Sequence, residues 1–247
     1  MKNALTIGWL YPELMNIYGD RGNIIVLESR CQLREIGAEV KELNVGFDIK
    51  ELTSCNLLLM GGAQDKQQQV VSEDLTKKRK SLLELIEKGV PGIYICGAYQ
   101  FLGKYYKESN GNLIKGLEIF DLYTENPGEN TKRLIGNIAV KSEFGTLIGF
   151  ENHGGRTHLG KNIKPLGTVL SGFGNNGTDK TEGAIYKNSI GTYLHGPILP
   201  KNPELADYLI ATALKIKYKK SFKLEKLDDT LEQNARKVIA KRLSVAI

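Results

Sequence analysis

Short apolar runs alternate with longer segments of helically spaced apolar residues through the first part of this chain. The apolar runs predict strands at residues 4–10, 56–60 and 92–95, and a further strand is predicted at residues 38–43. The segments between them predict helices at residues 24–36, ending at Gly37, and at residues 72–88, ending at Gly89. This alternation is typical of an α/β fold with a doubly wound, mostly parallel sheet flanked by helices. In such folds, sites form at the carboxyl ends of the strands.

The pattern changes after residue 116 to short strand-like pieces separated by glycine-rich loops, at residues 136–140, 146–150, 184–186 and 190–193. These pieces predict a mainly antiparallel extension that either continues the sheet or folds against it. Asn202 and Pro203 are typical of a helix start, and a last amphipathic helix is expected from Asp228. Its apolar stripe, expected to pack on the body, contains Leu231, Ala235, Val238 and Ile239. We predict a single domain over residues 1–247, with a helical C-terminal portion at residues 200–247.

Composition places the chain among ordinary globular proteins, with 247 residues of which 41% are hydrophobic and 25% are charged. The sequence has no apolar run long enough to span a bilayer and no signal-peptide pattern at its start. Cys31, Cys55 and Cys96 show neither a disulfide framework nor metal-ligand spacing, which favours a cytoplasmic protein without a metal. The net charge of +6 comes mostly from dispersed residues, so we expect no nucleic-acid partner.

The stretch from residue 89 to residue 100 is the main candidate for chemistry. Its predicted strand ends abruptly at Cys96, and the small residues Gly97 and Ala98 precede a helix-compatible segment. A cysteine on such a turn lies beside free N–H groups that favour its thiolate, as in the serine nucleophile elbow. The alternative is a structural cysteine at the end of a buried strand, since free cysteines are among the most buried residues.

Two further stretches could complete a cysteine-dependent site. Gly62 belongs to a glycine pair after the third predicted strand, where backbone N–H groups could stabilise an oxyanion. His195 directly follows a short strand and is the candidate base for Cys96. The other two histidines are His153 and His158, and His153 lies in a glycine-rich loop that could equally line the site.

Taken in order, these motifs resemble those of class I glutamine amidotransferases. The branch found in cobyric acid synthases has a similar Cys-Gly-Gly-Tyr-Gln nucleophile turn, here Cys96 to Gln100, and a similar Leu-His-Gly motif, here at His195. A closer resemblance is to the free-standing glutaminase subunits of lipid II isoglutaminyl synthases. The motifs shared with those subunits lie at residues 20–23, 97–103, 150–156 and 193–200.

The resemblance implies the catalytic roles. Cys96 would attack the glutamine carboxamide, and His195 would transfer protons as ammonia leaves and as water resolves the thioester. Backbone N–H groups near Gly62 and of Gly97 would hold the oxyanion. These steps would require no cofactor in this chain.

The resemblance also implies the substrate and the partner. Arg133 would bind the α-carboxylate of L-glutamine, and Gln100 of the nucleophile motif would also contact the substrate. Ammonia would pass to a separate, ATP-using synthetase subunit of the Mur-ligase type in a heterodimer. That partner would amidate D-glutamate in the stem peptide of lipid II, for peptidoglycan synthesis, at the inner face of the cytoplasmic membrane.

Two other functions stay open at this point. One is a cysteine hydrolase on the same scaffold that acts without a partner. The other is a non-catalytic binding or regulatory subunit, for which Cys96 would lie buried away from any pocket.

The sequence departs from the broader class in two places. Class I members usually have Gly-X-Cys-X-Gly, whereas Tyr94 and Ala98 occupy the outer positions here. They also usually have His-X-Glu, whereas Pro197 stands in place of the acid. A backbone carbonyl or an acid from elsewhere must then orient His195. We hypothesise that the partner subunit supplies it, which would make glutaminase activity weak in the isolated chain.

Overall fold

A six-stranded sheet forms the centre of the computed structural model, which describes residues 3–63 and 65–247. In spatial order its strands are β13 (Ala184–Tyr186), β14 (Ser189–Thr192), β4 (Gly92–Ile95), β3 (Leu57–Met60), β1 (Ala4–Leu10) and β2 (Gly37–Leu43). All neighbours pair in parallel except β13, which is the antiparallel strand at one edge. The predicted mostly parallel sheet is confirmed, and β1 to β4 begin and end within one residue of their predicted bounds.

Helices connect and cover these strands. In chain order they are α1 (Arg21–Gln32), α2 (Ile49–Thr53), α3 (Asp65–Glu87), α4 (Gly97–Phe101), α5 (Pro203–Tyr218) and α6 (Thr230–Arg242). Because parallel crossovers are right-handed, the opposite directions of the β1–β2 and β3–β4 connections place α1 and α3 on opposite faces of the sheet. α5 packs against α1 and against strands β1 and β3. No helix in the described ranges is long and apolar enough to cross a membrane.

Two four-stranded sheets are built from the middle of the chain. One contains, in spatial order, β10 (Arg156–Leu159), β7 (Leu122–Glu125), β5 (Tyr105–Lys107) and β6 (Leu113–Lys115). The other contains β12 (Thr181–Glu182), β11 (Gly167–Ser171), β8 (Leu134–Ser142) and β9 (Gly145–His153), and it is antiparallel throughout. The sequence predicted strands that either continue the central sheet or form a separate layer. Both occur, since β13 and β14 continue the central sheet, whereas the strands of the two four-stranded sheets are separate from it.

Of the two predicted helix ends, one is confirmed and the other is wrong. α3 ends at Glu87 and is followed by Gly89 with a φ of +83°, as predicted. α1 ends four residues earlier than expected, at Gln32, and the chain turns at Glu35, whose φ is +55°. Gly37 is therefore the first residue of β2 and not the residue that ends the helix, so that prediction is wrong.

The packing face predicted for the last helix is wrong in part, since only Ile239 of the expected stripe packs on the body. Leu231 and Val238 of the expected stripe are 81% and 53% exposed. α6 instead packs through Ala240 and its apolar neighbours onto Ile148 of β9. The helix therefore meets the body through Ile239 and Ala240 and leaves Leu231 and Val238 exposed.

Asn202 precedes α5, but its side chain bonds to β9 instead of capping the helix. Its Oδ1 accepts a hydrogen bond from the N–H of Ile148 at 2.9 Å. Its Nδ2 donates to the carbonyls of Ile148 at 2.9 Å and of Ile198 at 2.6 Å. Asn202 is fully buried, so these bonds join the start of α5 to the strand that supports one wall of the site described below.

We expect Asn202→Asp to lower the free energy of unfolding by about 3 kcal/mol, because the new carboxyl group loses the two donors that satisfy buried carbonyls. Urea denaturation of the two proteins measures the difference. The matched control is Asn110→Asp, since Asn110 is exposed and its side-chain oxygen only accepts a bond, from the N–H of Asn112. Equal stability of all three proteins would show that the Asn202 bonds are not structural.

Candidate active site

A cavity of about 160 Å³ opens where β3 and β4 end. This is the edge at which parallel sheets of this type place their sites. The cavity is lined in part by six side chains with polar or reactive groups, which are Tyr18, Gln68, Cys96, Gln100, Arg133 and His153. No group of three or more metal-ligating side chains that could hold an ion occurs among residues 3–63 and 65–247.

Cys96 occupies a strained strand-to-helix turn. It directly follows β4, and its φ of 55° and ψ of −107° are unfavourable for any residue with a Cβ. Its N–H donates to the carbonyl of Thr192 at 2.8 Å, and its own carbonyl accepts from the N–H of Gln100 at 3.0 Å in the first turn of α4. The predicted nucleophile elbow is present in the structure, and its thiol faces the cavity.

The other two cysteines lie in a different environment. Cys31 and Cys55 belong to the hydrophobic core, where burial raises the pKa of both thiols to about 11. Cys96 is 7% exposed and lines the cavity. Cys96 is thus buried in the same core as Cys31 and Cys55, but it differs from them in lining this cavity, which the structural-cysteine alternative does not predict.

His195 and Cys96 both lie beside Gly62. The chain after β14 pairs with β9, since the N–H of His195 donates to the carbonyl of Phe150 at 2.7 Å and the N–H of Phe150 donates back at 3.1 Å. A Cβ added to Gly62 would lie 3.1 Å from Cε1 of His195 and 3.2 Å from Cβ of Cys96. A Cβ at these distances would be unusually tight, so glycine suits this close approach, and the structure brings these three predicted residues together.

Asp20 orients the imidazole of His195. Its Oδ1 lies 3.4 Å from Nδ1 of His195, and its Oδ2 accepts a hydrogen bond from the N–H of Gly62 at 2.8 Å. Both Asp20 and His195 are fully buried. The acid that Pro197 cannot supply thus comes from this chain, in the loop before α1. The hypothesis that a partner contributes the acid is therefore not needed to give His195 a carboxylate neighbour.

The charge of the buried imidazole follows from these contacts. Burial alone would lower the pKa of His195, but the hydrogen bond to Asp20 and the interaction with Cys96 outweigh it and raise that pKa above its ordinary value. The imidazolium form is therefore stabilised at neutral pH. Such a ring can give a proton to a leaving group.

The two alternative histidines do not meet Cys96 in this way. Nδ1 of His153 bonds to the carbonyl of Gly155 at 2.8 Å, and its ring stacks on Tyr193 with 3.6 Å between centroids. Burial lowers the pKa of His153, which favours the neutral ring. His158 lies on β10, where it stacks on the ring of Tyr123. His195 is thus the histidine placed to act on the thiol.

Arg133 and Gln100 both line the cavity, and they come from different parts of the chain. Arg133 donates to both the side-chain oxygen and the carbonyl of Asn152, each at 2.9 Å, which holds its guanidinium at the rim. Gln100, on α4, is 3% exposed and donates to the hydroxyl of Tyr193 at 3.1 Å. Their position agrees with a role in substrate binding, which stays a prediction for both residues.

The prediction of which backbone N–H groups would stabilise an oxyanion needs one correction. Because the N–H of Gly62 is bonded to Asp20, it is not free to hold an oxyanion. Ala63 is the next residue, and its N lies 3.5 Å from the position of a Cβ added to Gly97. The backbones of Ala63 and Gly97 therefore face each other beside Cys96.

Comparison with known proteins agrees with this geometry. Residues 6–203 match the family model of the CobB/CobQ-like glutamine amidotransferase domain. The chain is 44% identical over 245 residues to the GatD subunit of lipid II isoglutaminyl synthase (glutamine-hydrolyzing) from Staphylococcus aureus strain N315, which covers 97% of this chain and 96% of that protein. It is 41% identical over 235 residues to the subunit of the same name from Streptococcus pneumoniae strain ATCC BAA-255 / R6, covering 93% and 88%.

A solved structure described as a glutamine amidotransferase has a similar fold. It superposes on this chain with a TM-score of 0.59, covering 84% of this chain and 98% of that one. The two sequences are 13% identical, so the likeness concerns the fold alone.

We expect Asp20→Asn to lower the pKa of His195 by about one unit or more, because the change removes the neighbouring negative charge but keeps an acceptor for Gly62. The imidazole would then lose its proton at a lower pH than in the wild type. NMR titration of the three histidines measures the shift, with the His195 signal assigned from His195→Ala. The signal of His158 serves as the control, and at each pH its chemical shift should be the same in the variant as in the wild type. An unchanged pKa for His195 would rule out Asp20 as the source of the charge stabilisation.

We expect Cys96→Gly to be more stable than Cys96→Ala by about 1 kcal/mol. A positive φ costs about 1–3 kcal/mol for a residue with a Cβ, and the greater freedom of glycine in the unfolded chain offsets part of the gain. Urea denaturation of the two variants tests this. The control pair is Cys31→Gly and Cys31→Ala, in helix α1, where glycine should be the less stable by about 1 kcal/mol. If the glycine variant were the less stable one at both positions, the backbone at Cys96 would not be strained.

Proposed function

The chain belongs to the family of CobB/CobQ-like glutamine amidotransferases, and on this basis we propose that it hydrolyses L-glutamine as one subunit of a lipid II isoglutaminyl synthase. The proposal rests on one observation above the others, the convergence of Cys96, His195 and Asp20 at one edge of the central sheet. A thiol, an imidazole and a carboxylate in this arrangement are the groups that nucleophilic amide hydrolysis requires.

In the first half-reaction, the thiolate of Cys96 attacks the carboxamide carbon of glutamine. A C–S bond forms, and the π-electron pair of the carbonyl moves to oxygen, which becomes an oxyanion. His195 then donates its proton to the nitrogen as the C–N bond breaks and ammonia leaves. The product is a γ-glutamyl thioester on Cys96. The raised pKa of His195 keeps its ring protonated for this step.

In the second half-reaction, neutral His195 accepts a proton from water while the water oxygen attacks the thioester carbon. The resulting oxyanion collapses, the C–S bond breaks, and glutamate leaves. The thiolate of Cys96 and the imidazolium of His195 are restored. Asp20 holds the ring in one orientation throughout, so the same nitrogen serves both transfers.

Substrate binding is assigned to Arg133 and Gln100. A guanidinium held by Asn152 at the rim can bind a carboxylate with two hydrogen bonds, which fits the α-carboxylate of glutamine. Gln100 is held by Tyr193 deeper in the same cavity and can contact the polar part of the substrate.

The relatives named above are described as subunits of a lipid II isoglutaminyl synthase, which supports a second chain as the partner. We propose that ammonia passes to a separate Mur-ligase-like subunit, which uses ATP to amidate D-glutamate of lipid II at the inner face of the cytoplasmic membrane. The half-reaction assigned to this chain uses only thiol, imidazole and water, so the proposal gives it no cofactor. Because Asp20 orients His195 within the chain, we expect the isolated subunit to hydrolyse glutamine without the partner's help.

The experiment is glutamine hydrolysis by the purified chain, alone and with a candidate Mur-ligase-like partner. We expect ammonia release by the wild type in both conditions. Cys96→Ala and His195→Ala should lose at least about 10²-fold in kcat, since each removes a group used in the transition state. His158→Ala is the control and should keep wild-type activity, because His158 lies on β10, stacked on Tyr123.

Two outcomes would contradict the proposal. Absence of ammonia release in every condition would favour the non-catalytic binding subunit. Hydrolysis of other amides in preference to glutamine, unaffected by the partner, would favour a hydrolase that acts alone.

A further inference from the structure

Gln68 is a buried amide near the start of α3 that the mechanism above does not use. It is the middle residue of three consecutive glutamines, at positions 67–69, on a helix whose exposed face is strongly polar. Gln68 is only 3% exposed and lines the cavity beside Cys96, whereas Gln69 is exposed. The repeat itself contains no signal that distinguishes the buried member from the others.

The contacts of Gln68 are few for a buried amide. Its Nε2 donates to the carbonyl of Ala63 at 3.2 Å. Its Oε1 has no hydrogen-bond partner within the part of the chain that the structure describes. Burying an amide with an unsatisfied oxygen costs about 1–3 kcal/mol, so an apolar side chain would be more stable there. Stability alone does not account for a glutamine at this position.

The position of the amide relates it to the nucleophile turn. A Cβ added to Gly97 would lie 2.9 Å from Nε2 of Gln68 and 3.5 Å from the backbone N of Ala63. The amide of Gln68 therefore occupies the space that a side chain at position 97 would need. Three groups converge beside Cys96, namely the backbone of Gly97, the backbone of Ala63 and the side chain that holds Ala63.

We propose that Gln68 is a positioning residue for the oxyanion site, acting through Ala63. The N–H of Gly62 is bonded to Asp20, so the N–H groups left beside the thiol are those of Ala63 and Gly97. The carbonyl of Ala63 belongs to the peptide unit after that residue, so the bond from Gln68 limits rotation of the Ala63 backbone, whose N lies near Gly97. This inference rests on the proposed function, because it concerns the oxyanion formed when Cys96 attacks a carbonyl.

Gln68 neither gains nor loses a proton in this role. As the C–S bond forms, the carbonyl π-electron pair moves to oxygen, and the two backbone N–H groups stabilise the charge that results. As the oxyanion collapses, the pair returns and the leaving group departs with the proton from His195. Gln68 affects both steps only by holding Ala63 in place.

The test compares Gln68→Met with Gln69→Met. Methionine keeps the length and the packing of Gln68 but removes the donor to Ala63. We expect kcat for glutamine hydrolysis to fall by about 10²-fold, as for loss of one oxyanion donor, with KM within about threefold of the wild type. Gln69→Met should behave as the wild type. Gln68→Glu should lose at least as much in kcat, since a carboxylate cannot donate to the Ala63 carbonyl.

Alkylation of Cys96 by iodoacetamide separates this role from a structural one. Displacement of iodide forms no oxyanion, so the alkylation rate of Gln68→Met should equal that of the wild type. A parallel loss of alkylation and hydrolysis would mean that the substitution disturbs the whole site, and it would overturn the proposal. A rise in KM with kcat unchanged would also overturn it, because Gln68 would then contact the substrate directly.

Acetyl transfer from p-nitrophenyl acetate distinguishes failure of this inference from failure of the proposed function. That ester passes through a tetrahedral oxyanion on Cys96 whatever the natural substrate is. If the wild type releases no ammonia from glutamine but accepts the acetyl group, the proposed function fails while the inference is still tested. A rate of acetyl transfer that is lower in Gln68→Met than in Gln69→Met supports the inference, and equal rates overturn it.

Discussion

The buried carboxylate of Asp20 joins two parts of the site that belong to different elements. One oxygen faces the ring of His195 after β14, and the other accepts the N–H of Gly62 after β3. A fully buried carboxylate is stable only when it is paired or hydrogen-bonded, and these two contacts meet that need. The orientation of the imidazole and the position of the glycine loop therefore depend on the same side chain.

The nucleophile turn at Cys96 is supported by the central sheet. Cys96 adopts a backbone conformation that costs energy, and it is held there by β3 and β14, which pair with β4 on both sides. The close approach of the Gly62 backbone leaves room for no side chain between Cys96 and His195. The strained backbone at Cys96 is thus supported by regular parallel pairing, whereas Asp20 reaches His195 from the loop before α1.

Much of the fold could be predicted because its signals are local. Strands β3 and β4 are short apolar runs, and Cys96 and His195 directly follow strands, so their place at the sheet edge could be predicted from their position. The wrong predictions concern features that contacts between distant parts of the chain determine. The sequence predicts an apolar stripe on α6 that includes Leu231, but contact with β9 buries Ala240 and leaves Leu231 exposed.

The sequence by itself determined the sheet, the nucleophile turn and the histidine, because each follows from residue types that are adjacent along the chain. Only the tertiary structure decided which acid orients His195 and which glutamine is buried. Asp20 is separated from His195 by 175 positions, and no spacing rule relates them. Gln68 has identical neighbours on both sides. Burial, direction and distance distinguish such residues, and those quantities arise only once β1, β3, β4 and β14 lie side by side.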